Sequence, residues 1–144
     1  MLTLSNCTVT VHDHDEALAF YRDALGFAVT QDVSYEGMRW VTVTPPDQPG
    51  LHLVLERPAS TPDASPADRE ALADLLAKGL LSRLIFTCDD VDALFERLVA
   101  AGVEVLSEPA DQDYGVRDFG VRDPSGNQLR FNQPAGRPAA APVG

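Results

Sequence analysis

The chain has 144 residues, 44% of them apolar and 23% charged, which suits one compact domain with a core and excludes a disordered chain. Eleven Lys plus Arg against 22 Asp plus Glu leave a net charge of −11, which repels phosphate backbones and anionic membrane surfaces, so neither nucleic acid nor membrane is an expected partner. No run approaches the ~20 apolar residues that span a bilayer, and the first ten residues lack the basic and apolar segments of a secretion signal, so a cytoplasmic location is expected.

In chain order, residues 7–11 alternate as a strand. Asp13 and Glu16 make a capping-box-like start to a helix whose apolar face is Ala17, Phe20, Tyr21 and Ala24, and Gly26 stops it. Residues 27–35 read as a strand, Glu36-Gly37 as a hairpin turn and 38–44 as the return strand; 51–56 form a fourth strand after a Pro/Gly loop. Residues 57–65 read as a surface loop. Ser65 then caps a linker helix with Pro66 at its first position, Asp68 in its first turn and Ala71, Leu72 and Leu75 on one side, ending near Gly79.

The same order then returns. Residues 83–88 read as a strand, Asp89-Asp90 as an acidic cap, and Val91, Leu94, Phe95 and Leu98 as a helix face closed by Gly102. Residues 103–106 form the next strand and 107–113 a loop; 114–122 form a further strand, which the turn Asp123-Pro124-Ser125-Gly126 joins to a last strand at 127–132. The chain is therefore α+β, a duplicated βαβββ unit: a first module at 1–56, a linker at 57–82, a second module at 83–133 and a Pro/Ala/Gly-rich tail at 134–144 expected to be disordered. One helix per module covers one sheet face and leaves the other in need of a partner. Cys7 and Cys88, in apolar runs, are expected to be free thiols.

A paired βαβββ repeat with Ala19-Phe20-Tyr21-Arg22-Asp23-Ala24-Leu25-Gly26-Phe27 in one copy and Asp123-Pro124-Ser125-Gly126-Asn127 in the other resembles the vicinal oxygen chelate superfamily, over roughly residues 2–133. That superfamily includes glyoxalases, extradiol dioxygenases, fosfomycin-resistance enzymes and bleomycin-resistance proteins. The resemblance implies a cup-shaped mixed β-sheet with helices on its outer face. In metal-dependent members each copy supplies two ligands, one early in the first strand and one in the fourth. Those positions correspond here to Asn6 and His52 in the first copy and to Arg83 and Arg130 in the second. A guanidinium has no lone pair to donate and repels a dication, so the usual metal site is expected to be lost and no cofactor is expected. A divalent metal held by other residues is the alternative.

Strand alternation places Asn6, Thr8, Trp40, His52, Glu56, Arg83 and Arg130 on the cup face as the candidate ligand-binding set. The two arginines suit an anionic group of a ligand, or pair internally with Glu56, Asp118 or another carboxylate. His52 is a packing residue or a proton-transfer group. His12 and His14 flank a helix cap and read as surface loop rather than as a metal cluster. Trp40 reads as pocket wall and Met38 as core; Tyr35 and Tyr114 lie near strand ends. The function expected first is a bleomycin-resistance-like homodimer binding a small organic molecule in a metal-free cup. A glyoxalase- or dioxygenase-like enzyme, using a metal or a His/Glu acid–base pair, is the second reading, and a module without a ligand the third.

Overall fold

The computed structural model describes residues 1–134, so all but Pro134 of the segment expected to be a disordered tail lies outside the described residues. The chain divides into two packing units, residues 1–82 with 124–127, and residues 83–123 with those from 128 onward. Among the described residues no helix is long and apolar enough to cross a membrane.

In the first unit, β1 (Asn6–Thr10), β2 (Ala28–Tyr35), β3 (Met38–Thr44) and β4 (His52–Glu56) form a four-stranded sheet in the order β1-β4-β3-β2. β1 runs parallel to β4, while β4–β3 and β3–β2 are antiparallel. Alternation turns Val9, Val41, Val43, Leu53 and Leu55 inward, where they are buried together with Ala17, Leu18, Phe20 and Tyr21. Ala17 and Leu18 come from a helix shorter than its apolar face suggests, Phe20 and Tyr21 from the turn that follows it. Asp13 caps α1 (His14–Leu18) by accepting from the Glu16 N–H at 3.0 Å, and the chain then widens into a π-helical turn over Ala19–Ala24. The wide turn carries the Phe20 and Tyr21 rings, which meet edge to face at 4.8 Å.

The hairpin turn lies where the dipeptide predicts it. Tyr35 pairs with Met38, and Glu36 and Gly37 between them have φ of 50° and 78°, as a two-residue turn with two left-handed positions requires.

The linker helix is α2 (Pro66–Ala77), with a reciprocal cap: the Asp68 N–H donates to Ser65 Oγ at 3.1 Å, and the Ser65 N–H donates to the Asp68 carboxylate at 2.9 Å. Its buried residue is Leu76, not the expected face of Ala71, Leu72 and Leu75, the last of which is 37% exposed. The reason is the Pro124–Asn127 segment, which belongs to this unit although it joins two strands of the other. Its Ser125 Oγ accepts from the His12 N–H at 2.9 Å, its Asn127 side chain donates to the Thr10 carbonyl at 2.8 Å, and Gly126 lies against the carbonyls of Leu76 and Ala77. The end of α2, rather than its flank, is what the fold buries.

In the second unit, β5 (Arg83–Thr87), β6 (Glu104–Asp111), β7 (Val116–Arg122) and β8 (Gln128–Pro134) repeat the arrangement in the order β5-β8-β7-β6, with α3 (Val91–Ala100) between β5 and β6. Val91, Leu98, Phe119, Val121, Leu129 and Phe131 are its buried apolar side chains, and the Phe119 and Phe131 rings stack at 5.2 Å. The expected loop over 107–113 is a continuation of β6 as far as Asp111. Pro109 disguised it. Proline removes a ladder N–H, but β6 is an edge strand with register shifts around Ser107, and an edge with bulges tolerates that loss. Conversely, Tyr114 and Gly115 precede β7 rather than opening it. Cys7 and Cys88 are free and partly buried.

Gly126 has φ of 116°, and a Cβ there would lie 2.2 Å from the Leu76 carbonyl oxygen. Backbone cannot yield as a side-chain tip can, so Gly126→Ala is expected to cost about 3 kcal/mol or more and to lower the melting temperature by roughly 10 °C. Thermal denaturation followed by circular dichroism measures this.

Candidate functional site

Because Cys7 and Val9 turn toward the core, the neighbouring Asn6, Thr8 and Thr10 of β1 face the other way. Parallel pairing sets Asn6 beside His52, Thr8 beside Val54 and Thr10 beside Glu56; antiparallel pairing sets Val54 beside Thr42, Trp40 beside Val33 and Met38 beside Tyr35. The first sheet therefore brings Asn6, Thr8, Trp40, His52 and Glu56 onto one open face. That face has an apolar end: Trp40 is 39% exposed, Met38 46%, Val33 50% and Tyr35 68%.

Met38 is thus not core, contrary to expectation. The cause is a difference in strand length. The β3–β4 ladder extends from Val41 with Leu55 to Val43 with Leu53, β4 ends at Glu56, and residues 38–40 of β3 run on without a partner there. A cavity of about 260 Å³ occupies that notch, walled by Met38, Trp40 and Val54 and by the polar groups His14, Glu56 and Arg57. Two of these polar groups, His14 and Glu56, are held in place. His14 Nε2 lies 3.0 Å from the Leu55 carbonyl oxygen, which accepts from it, and Ser60 Oγ donates to the Glu56 carboxylate at 3.1 Å. His52 Nδ1 shares a hydrogen bond of 2.7 Å with Thr44 Oγ1, so its ring is anchored to a buried threonine.

Arg39 was not singled out in the sequence, although its position between Met38 and Trp40 shows that it must turn toward the helix side. It reaches Asp32 and Asp15 there, both at 2.9 Å. The hydrogen bond from Arg39 holds the Asp32 carboxyl below its ordinary range.

The second unit carries Arg83 and Arg130 on the corresponding face of its own sheet, where Arg83 pairs in register with Gln128 and Ile85 with Arg130. Arg83 is exposed. Arg130 is not a free guanidinium: its Nε and Nη2 donate to the two oxygens of Asp118 at 3.2 and 3.0 Å. It lies across Gly120, where a Cβ would come within 2.9 Å of its Nη1. Asp118 also accepts from Gln112 Nε2 at 2.8 Å and from the Tyr114 hydroxyl at 3.0 Å. Burial pushes the Asp118 carboxyl up, but these hydrogen bonds, Arg130's foremost, outweigh it and hold the group below the usual carboxylate range. The internal-pair reading of Arg130 is the one this geometry supports.

The four family metal-ligand positions therefore hold an amide, an anchored imidazole, an exposed guanidinium and a guanidinium committed to a carboxylate. That donor set does not fit a metal ion. His12 and His14 do not supply an alternative: among the described residues no three His, Cys, Asp or Glu side chains converge as a metal group.

Removing the charge from residue 118 strands the half-exposed Arg130, so Asp118→Asn is expected to cost about 1–3 kcal/mol. A carboxyl with a depressed folded-state pKa contributes stability above its unfolded value of about 4, and the contribution is lost as pH falls through the folded value. The urea midpoint of the native chain should accordingly fall more steeply below about pH 4 than that of Asp118→Asn.

Residues 3–131 match the family described as the Glyoxalase/Bleomycin resistance protein/Dioxygenase superfamily. Uncharacterized protein YurT of Bacillus subtilis is 36% identical over 103 residues, which cover 71% of this chain and 76% of that protein. Among solved structures, UcmS2 is 35% identical with a TM-score of 0.83, the match covering 92% of this chain and 98% of that one. TnmS3, an antibiotic binding protein from Streptomyces sp. CB03234, is 31% identical with a TM-score of 0.71, the match covering 94% of this chain and 98% of that one. Together with the duplicated βαβββ fold, these matches show that the chain belongs to the Glyoxalase/Bleomycin resistance protein/Dioxygenase superfamily.

Proposed function

We propose that this protein binds an apolar, ring-bearing small molecule of antibiotic type on the open face of its first sheet, without a metal ion, as a homodimer in the cytoplasm. The observation that carries the reading is the notch beside Trp40. An indole, a thioether and a valine side chain that are not packed into the core form one wall of a cavity of about 260 Å³. These side chains are partly exposed, so covering them with a stacked ring would recover roughly 1 kcal/mol each. The volume suits a ring system rather than a whole drug-sized molecule, for which pockets of about 300–1,000 Å³ are usual. The remainder of a ligand would then lie along the face, where Asn6, Thr8, His52 and Glu56 offer an amide, a hydroxyl, an imidazole and a carboxylate. Glu56 favours a cationic substituent, in keeping with the net charge of −11. The likeness to an antibiotic binding protein supports the ligand class, and the exposed Val33 and Tyr35 beside the notch leave apolar surface for a second copy.

Trp40 is the chain's one tryptophan, so its emission reports on this notch. Titration with a panel of aromatic antibiotics should give saturable quenching by at least one compound, and the same compound should raise the melting temperature. Trp40→Ala should weaken that binding about tenfold or more, measured by calorimetry. Affinity retained within about twofold in Trp40→Ala would refute the assignment of the site, and no response from any compound in either measurement would refute the proposed ligand class.

A further inference from the structure

A second cavity of the first unit, about 540 Å³, lies where the chain leaving β1 and the loop after β4 meet α2; it is lined by His12, Arg57, Ala59, Ser60, Arg69 and Glu70 among others. Its charge is at odds with the rest of the chain. Acidic residues outnumber basic ones two to one, and Arg22, Arg39, Arg117, Arg122 and Arg130 each lie within 3.4 Å of a carboxylate. Among the described residues Arg57 and Arg69, like Arg83 and Arg97, are in no such pair, but these two line one cavity, from different elements, with His12 beside them. Ser60, beside Arg57 on the same wall, already donates to Glu56. Ala59 has φ of 51°, a left-handed conformation that costs a residue with a Cβ about 1–2 kcal/mol, and it shapes the turn that presents this wall.

We infer that this cavity is a binding site for the phosphoryl group of a small organic phosphate, adjoining the notch beside Trp40, with which it shares Arg57 and Ser60. One guanidinium fork saturates a planar carboxylate, whereas a tetrahedral dianion has oxygens for two forks and an imidazole. The volume exceeds that of a bare phosphate and falls within the range of small-molecule sites. Long-range attraction plays no part, because the net charge opposes any anion, so binding rests on these short contacts. Glu70 is the one carboxylate among the described lining residues, and Asp13 acts on Arg57 and Asp68 on Arg69 from nearby, so these acids set the limit on affinity.

The test is a titration of the 15N-labelled chain with inorganic phosphate at constant ionic strength. Saturable shifts of the His12, Ala59 and Ser60 amides are expected. Arg57→Ala and Arg69→Ala should each weaken binding about tenfold, and Arg57→Lys, which keeps the charge but not the fork, by less. Glu70→Gln should tighten binding, and Arg97→Ala, at an exposed position on α3, should leave it unchanged. The same spectra report whether each variant is folded. Absence of saturable shifts, their persistence in the Arg57→Ala/Arg69→Ala double variant, or an equal response to acetate would overturn the assignment.

Discussion

A four-stranded sheet has two faces, and a single short helix covers one of them. Both units of this chain are built under that constraint, and both resolve it by strict alternation: apolar residues turn toward the helix and polar or mixed residues turn away. The parallel pairing of β1 with β4 makes the open face chemically continuous, because equivalent positions of neighbouring strands point the same way. Asn6, His52, Thr8, Val54 and Glu56 owe their common surface to that register, and a one-residue slip would bury all of them and expose the core. The same register, ended early by the shortness of β4, opens the notch at Trp40.

Charge is distributed by a related rule. A guanidinium placed on a packed face must find carboxylates, and Arg39 does so between Asp15 and Asp32. Arg130 meets the same requirement through Asp118, with Gln112 and Tyr114 occupying the remaining capacity of the carboxylate. The positions where metal-dependent relatives are expected to hold electron-pair donors have thus been turned, in the second unit, into an exposed cation and a self-satisfied ion pair. An open face of this kind can hold a ligand by shape and by neutral hydrogen bonds, whereas chelation would require Arg130 to be replaced and Asp118 to find a new partner.

Much of this was legible in the amino-acid order because it is written in local chemistry. The Ser65/Asp68 cap, the Glu36-Gly37 turn, and the inward Val9 and outward Thr8 follow from periodicity and from turn and capping preferences, whereas the position of His52 comes from the family resemblance. The errors have a common origin in tertiary context. Pro109 reads as a strand breaker unless the strand is known to be an edge. Leu76 reads as one apolar residue among several on a weakly amphipathic helix unless the turn at Gly126 is known to rest on its carbonyl. Met38 reads as core unless β4 is known to stop before reaching it. Arg57 and Arg69 lie in a loop and on a helix 12 positions apart, and no spacing rule connects them; only the packing of α2 near the end of β1 does.

The Pro124–Asn127 segment shows how a short motif can matter more for packing than for chemistry. Its serine and asparagine satisfy the His12 N–H and the Thr10 carbonyl, backbone groups that a strand end would otherwise leave to water, and its glycine admits two carbonyls from the end of α2. His12 is therefore held by its backbone N–H while the residue lines the cavity that Arg57 and Arg69 also line. The α2 residues of that wall, Arg69 and Glu70, are positioned by a helix anchored at one end by its cap and at the other by the Gly126 contact. The cap is local and the Gly126 contact is tertiary, and together they hold the two ends of α2. A loop and a helix with few shared apolar residues thus come to line one cavity.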